Sequence, residues 1–151
     1  MDEALELKKG MRVLEVGAGS GYHAATIAEI VGEEGQVFAI EHLNRLVAIA
    51  RGNLSRAGYA SRVILVEGDG SLGYPDRAPY DRILVTAAAP NVPPPLISQL
   101  KPDGILVIPV GGRTFPQELI RVKKERDEKL QRESLGGVAF VPLVGKYGFS
   151  V

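Results

Sequence analysis

Residues 13–23 read VLEVGAGSGYH, an apolar run that stops in three glycines, Gly17, Gly19 and Gly21, set at every second position. Glycine accepts positive φ and lets another group come close to the backbone. A helix that starts at such a turn presents unpaired N–H groups at its positive end, which suits a polar or anionic group. Upstream, Arg12 to Val16 (RVLEV) has the composition of a buried strand. Downstream, Tyr22 to Val31 (YHAATIAEIV) sets Ala24, Ile27, Ala28 and Val31 at helical spacing, so one face can pack on a sheet. The unit is strand, glycine turn, helix.

The same alternation continues along the chain. GQVFAIE is a second strand ending at Glu41, and Asn44 to Ala57 is a helix closed by Gly58. Arg62 to Glu67 (RVILVE) is a third strand, and the Gly68–Asp69–Gly70 turn follows it. From Gly68 to Pro79, GDGSLGYPDRAP is so rich in turn formers that a loop or a single turn is expected. Tyr80 to Val85 is the fourth strand, Pro93 to Pro95 suit the start of a short helix over LISQL, and Gly104 to Val110 is the fifth strand. Alternating strands and helices imply an α/β fold, mostly parallel, with helices on both faces. In the last third, QELIRV, a polar turn near Asp127 and LGGVAFVPLV suit an antiparallel strand pair better than a solvated charged helix. No internal repeat is apparent.

Composition narrows the function classes. A chain of 151 residues is one domain's worth, with 45% hydrophobic and 24% charged residues, ordinary values for a globular chain. Eighteen basic and eighteen acidic residues cancel, which removes the broad positive field of a nonspecific nucleic-acid binder. There is no cysteine, hence no disulfide framework, thiol nucleophile or thiolate metal site, and a reducing cytoplasmic setting fits. Two isolated histidines, His23 and His42, give no metal-ligand pattern. With no apolar run long enough to span a bilayer and no leader pattern in MDEALELKKG, a soluble, unexported protein without a membrane partner is expected.

The glycine turn departs from the dinucleotide fingerprint GxGxxG, because the third glycine of that pattern would fall at position 22, which is Tyr22. A nicotinamide oxidoreductase is therefore disfavoured. Glu41 ends the second strand twenty residues beyond Gly21, where a carboxylate can accept hydrogen bonds from both hydroxyls of a ribose. Asp69 ends the third strand between two glycines. It can accept from an adenine amino group, or form the Asx turn common for Asp beside Gly. The three features stand at the carboxyl ends of three consecutive strands, the edge at which open α/β sheets bind ligands.

With these residues in view, LEVGAGSGY, the acidic end of FAIE, EGDG, YDRILVTAAAP, LISQLKPDG and the closing FVPLV resemble the protein-L-isoaspartate O-methyltransferases of the S-adenosylmethionine-dependent superfamily. The resemblance covers nearly all of the chain and implies one Rossmann-like methyltransferase domain over residues 1–151. It implies S-adenosyl-L-methionine as cofactor, S-adenosyl-L-homocysteine as product, and isoaspartyl-containing proteins and peptides as substrate. By this resemblance Glu15, Gly17, Ala18, Gly19, Ser20, Gly21 and Tyr22 hold the methionine and ribose part of the cofactor. Glu41 takes the ribose hydroxyls, His42 and Leu43 flank the adenine, and Asp69 and Gly70 meet its edge. Thr86 and Ala87 lie near the sulfonium and the acceptor. The ester so formed makes isoaspartate a better leaving group for succinimide formation, which is a repair role.

Family members carry a further segment before the first strand, with a Gly-Gln-Thr/Ser type loop and a hydroxyl residue at the acceptor site. Nothing in MDEALELKKGM matches that loop, so the chain reads as the family's core without it, and no residue is assigned as catalytic. Val144 also stands where a hydroxyl residue often follows Pro-Leu. A cofactor-binding module without methyl transfer is the alternative.

Overall fold

In a computed structural model, residues 2–114 and 116–150 are described. A short helix α1 (Asp2–Leu5) precedes β1 (Arg12–Val16), α2 (Tyr22–Val31), β2 (Gln36–Glu41), α3 (Asn44–Arg56) and β3 (Val63–Glu67). Two 3-10 turns, Gly70–Leu72 and Pro75–Arg77, lead to β4 (Tyr80–Val85), α4 (Pro94–Ser98), β5 (Leu100–Gly111), β6 (Gln117–Lys124) and β7 (Leu130–Val138). The sheet runs in the order β3-β2-β1-β4-β5-β6-β7. Strands β1 to β5 are parallel, and β6 and β7 are antiparallel to their neighbours. The order reverses between β1 and β4, which makes the carboxyl ends of those strands the topological switch point.

Alternation along the strands divides the core. Val13, Val37, Ala39, Leu84 and Val107 face α2 and α1, where Ala24, Ile27, Val31 and Leu5 pack. Leu14, Val16, Phe38, Ile83 and Leu106 face the other side, against Tyr80, Leu96 and Leu100. Strands buried on both faces explain why their sequences read as continuous apolar runs.

Two polar groups are tied into this core. Arg82, on β4, is buried, and its guanidinium donates to the carbonyls of Leu5, Glu6 and Asp81, pinning the end of α1 to the sheet. Burial draws its pKa down, while Glu6 and Asp81 pull the other way. Tyr80 is fully buried beside Phe38, with ring centroids 5.7 Å apart in an edge-on arrangement, and its hydroxyl donates to the Tyr74 carbonyl. Burial pushes its phenol up to about 12. The raised value leaves stability intact below the ordinary phenol pKa of about 10 and lets it decline from there to about 12, because the unfolded chain ionises first. In an ultraviolet titration one of the five tyrosines is expected to ionise with a midpoint near 12, and Tyr80→Phe removes that step. A titration complete by pH 11 would contradict it.

The larger departures from the sequence expectation are three. Strand β5 starts at Leu100, not Gly104, through an irregular pairing with β4 between Tyr80 and Arg82. The turn-rich segment holds two 3-10 turns, not one. The last strand begins at Leu130, and AFVPLV leaves the ladder. Residues 130–137 are exposed at the sheet edge, so no apolar periodicity marks them.

Candidate cofactor site

The three glycines that follow β1 have different surroundings. Gly17 has φ +95, and a Cβ there would stand 2.7 Å from Thr86 Oγ1. Thr86, just past β4, donates that hydroxyl to the Gly17 carbonyl at 2.8 Å and its N–H to the Val16 carbonyl at 3.0 Å, so β1 and β4 are laced together at the switch point. Gly19 has φ +53 and open space where a Cβ would be. Gly21 caps α2 with φ +87, and a Cβ there would meet the Ala50 carbonyl at 3.2 Å, so this glycine lets α2 approach α3.

Glu41 ends β2 and reaches back over the glycine turn. Its carboxylate accepts from Gly19 N–H at 3.2 Å, His42 N–H at 3.1 Å and Leu43 N–H at 3.3 Å. These bonds hold a negative charge at the lip of a cleft of about 470 Å³. Gly17, Gly19, Glu41, His42, Leu43, Gly70, Thr86 and Ala87 line that cleft, eight of the residues singled out from sequence. Val16, Ile40 and Leu46 complete its apolar floor, and Val141 to Val144 form a wall. The floor residues carried no separate signal, since a strand or helix residue that turns toward a ligand reads like any other core residue. The wall lies in FVPLV, whose resemblance was noted without a place in the site.

Six expected residues stand outside the lining. Glu15 is 1% exposed and faces α2, where its carboxylate meets His23 Nδ1 at 2.8 Å. Its neighbours Leu14 and Val16 point to the opposite face, so strand alternation dictates this direction. The Ser20 carbonyl accepts from Asn53 of α3 at 2.9 Å. Ala18 is buried among the α2-side core, Gly21 packs on α3, and Tyr22 is 59% exposed on α2. Asp69 forms the Asx turn: Oδ1 accepts from Ser71 N–H at 2.9 Å and Ser71 Oγ–H at 2.7 Å, and Oδ2 accepts from Lys146 N–H at 2.9 Å. Burial alone would raise its pKa, but the hydrogen bonds from Lys146 and Ser71 together hold it below the ordinary carboxylate value.

Among the described residues no group of three or more His, Cys, Asp and Glu side chains could hold a metal ion, and no helix is long and apolar enough to cross a membrane. The cleft offers a carboxylate and apolar walls, chemistry that suits a nucleoside.

The chain is 55% identical over 99% of its length to the protein-L-isoaspartate O-methyltransferase of Hyperthermus butylicus, and 54% identical over 99% to that of Methanosarcina mazei. It spans 64% and 60% of the length of those two relatives. A solved protein-L-isoaspartate O-methyltransferase superposes with a TM-score of 0.88 at 37% identity, covering 97% of this chain and 46% of that one. A Plasmodium falciparum PCMT in complex with S-adenosyl-L-homocysteine superposes at 0.81 and 24% identity, over 91% of this chain and 67% of that one, a likeness of fold alone. The family model described as Protein-L-isoaspartate(D-aspartate) O-methyltransferase (PCMT) matches residues 1–148, and with that match the chain belongs to this family.

Proposed function

We propose that the chain is the S-adenosylmethionine-binding domain of a protein-L-isoaspartate O-methyltransferase, which methylates the free α-carboxylate of isoaspartyl residues in damaged proteins. The observation that carries this reading is the cleft at the switch point, bordered by Glu41, the Gly17 and Gly19 backbone, and Thr86. The residues fit the cofactor: the Cβ-free side of Gly19 leaves room against the turn, and Glu41 offers a fixed carboxylate to a diol. In this reading Glu41 holds the ribose hydroxyls, His42 and Leu43 flank the adenine, Gly70 borders its edge, and Thr86 and Ala87 lie toward the acceptor. When bound, S-adenosylmethionine supplies a methyl group activated for in-line displacement.

The work left to the chain is positioning, since holding two reactants in near-attack geometry removes much of the entropic barrier. The acceptor carboxylate is an α-carboxyl with an ordinary pKa of about 3.3–3.7 and is already ionised at neutral pH, so no general base is required. The wall at Val141 to Val144 and the floor at Val16 and Ile40 give the cleft an apolar lining. The cytoplasm is the proposed setting, in line with a chain that offers no thiol to an oxidising compartment.

The chain is expected to transfer labelled methyl from S-adenosylmethionine to an isoaspartyl peptide and not to the matching aspartyl peptide. Equal rates on the two peptides would end the specificity claim. Tight S-adenosylhomocysteine binding with no turnover on either would leave only a cofactor-binding module.

A further inference from the structure

Strand β6 begins at Gln117, whose side chain is buried although it carries an amide. That amide acts as a piece of backbone. Its oxygen accepts from Phe140 N–H at 2.7 Å, and its NH2 group donates to the Phe140 carbonyl at 3.0 Å and to the Gly112 carbonyl at 3.1 Å. Two bonds exchanged with one residue are the pattern that an opposing residue gives in an antiparallel ladder. Backbone pairing between β6 and β7 ends at Gln117 and Val138, so the Gln117 side chain carries the pairing on to Phe140.

Beyond Phe140 the chain crosses to the segment that follows β4. Ala88 N–H donates to the Val141 carbonyl at 2.7 Å, and Leu143 N–H donates to the Ala88 carbonyl at 2.8 Å. Val141 to Val144 form a wall of the cleft, and Thr86 and Ala87, the two residues before Ala88, line the same cleft. Leu143 is buried in the core and anchors the far end of this crossing, whereas Val141 at the near end is 70% exposed. Packing holds one end of the wall, and hydrogen bonds hold the other.

We propose that Gln117 is a positioning residue for cofactor binding: without lining the cleft itself, it fixes Phe140 and so sets the Val141–Val144 wall in place for the cofactor. The proposal rests on the cofactor reading above. Gln117→Met keeps the length of the side chain and removes all three hydrogen bonds. Gln117→Glu keeps the acceptor for Phe140 N–H and, as a carboxylate, loses both donors, so that an oxygen faces the Phe140 and Gly112 carbonyls. Both variants of the full chain would be measured by calorimetry with S-adenosylhomocysteine and by amide hydrogen exchange without ligand. Each is expected to bind S-adenosylhomocysteine about tenfold more weakly, the size of one lost hydrogen bond. Exchange at the Ala88 and Leu143 N–H groups is expected to quicken about tenfold while β1 and β4 keep their rates, because only local opening becomes cheaper.

In either variant that folds, an unchanged affinity or unchanged exchange at Ala88 and Leu143 would overturn the proposal. So would an equal quickening in β1 and β4, which would make Gln117 a support of the whole fold. If the unmodified chain does not bind S-adenosylhomocysteine, the cofactor reading is what fails, and the exchange rates still decide whether Gln117 sets the wall.

Discussion

Glu41→Ala is expected to weaken S-adenosylhomocysteine binding more than a hundredfold while the chain stays folded. On the proposed function the carboxylate accepts two ribose hydroxyls, and a hydrogen bond to a charged group contributes about 1.5–3 kcal/mol. Two at the lower end give about 3 kcal/mol, a little over two decades in Kd. The three bonds from Gly19, His42 and Leu43 N–H groups add to the effect, because they fix the carboxylate before any ligand arrives and hold the glycine turn in shape. Pre-set groups lose little entropy on binding. The side chain is buried, but it stands at the end of β2 beyond the apolar clusters of the core, so a cooperative thermal transition should persist. Calorimetry checks the affinity and circular dichroism the fold. A change under threefold would remove Glu41 from the ribose site.

What the sequence disclosed follows from how each feature is encoded. Strands β1, β2, β4 and β5 were legible because both of their faces are buried and their apolar runs are continuous, and the partly exposed edge strand β3 because its run of Val, Ile and Leu is unbroken. Glu41 and the glycines were legible because charge and missing side chains stand out at strand ends. The individual tasks of the glycines were not. Gly17 is set by Thr86 and Gly21 by Ala50, contacts separated by 69 and 29 positions in the chain, and spacing within a motif carries no record of them. Asp69 shows the same limit. Asp beside Gly was compatible with an Asx turn or with a ligand contact, and the partner that completes its hydrogen bonding, Lys146, lies 77 residues on. The cleft wall at Val141 to Val144 escaped periodicity altogether, since it belongs to no strand of the ladder and is placed by Ala88 and Gln117.

Tyr80→Ala is expected to cost about 3–5 kcal/mol, the range for removing a large buried aromatic ring. Tyr80 is fully buried at the start of β4, where it closes the end of the sheet opposite the cofactor cleft and packs on Phe38, with Tyr74 on the same ring 6.1 Å away. Its truncation would leave Phe38 without its edge-on partner and open a cavity between β2 and β4 that the surrounding strands cannot collapse to fill. A loss of 3–5 kcal/mol is a large share of the about 5–15 kcal/mol that holds an ordinary domain together. For a chain of this size it lowers Tm by an amount on the order of 10 °C. Tyr80→Phe keeps the ring and removes only the hydrogen bond to the Tyr74 carbonyl, so its cost should stay near 1–2 kcal/mol. The ratio of the two effects is the decisive measurement. If Phe proves as damaging as Ala in thermal or denaturant unfolding, the hydroxyl and not the packed ring holds this end of the sheet, and the account of the core given above is wrong at Tyr80.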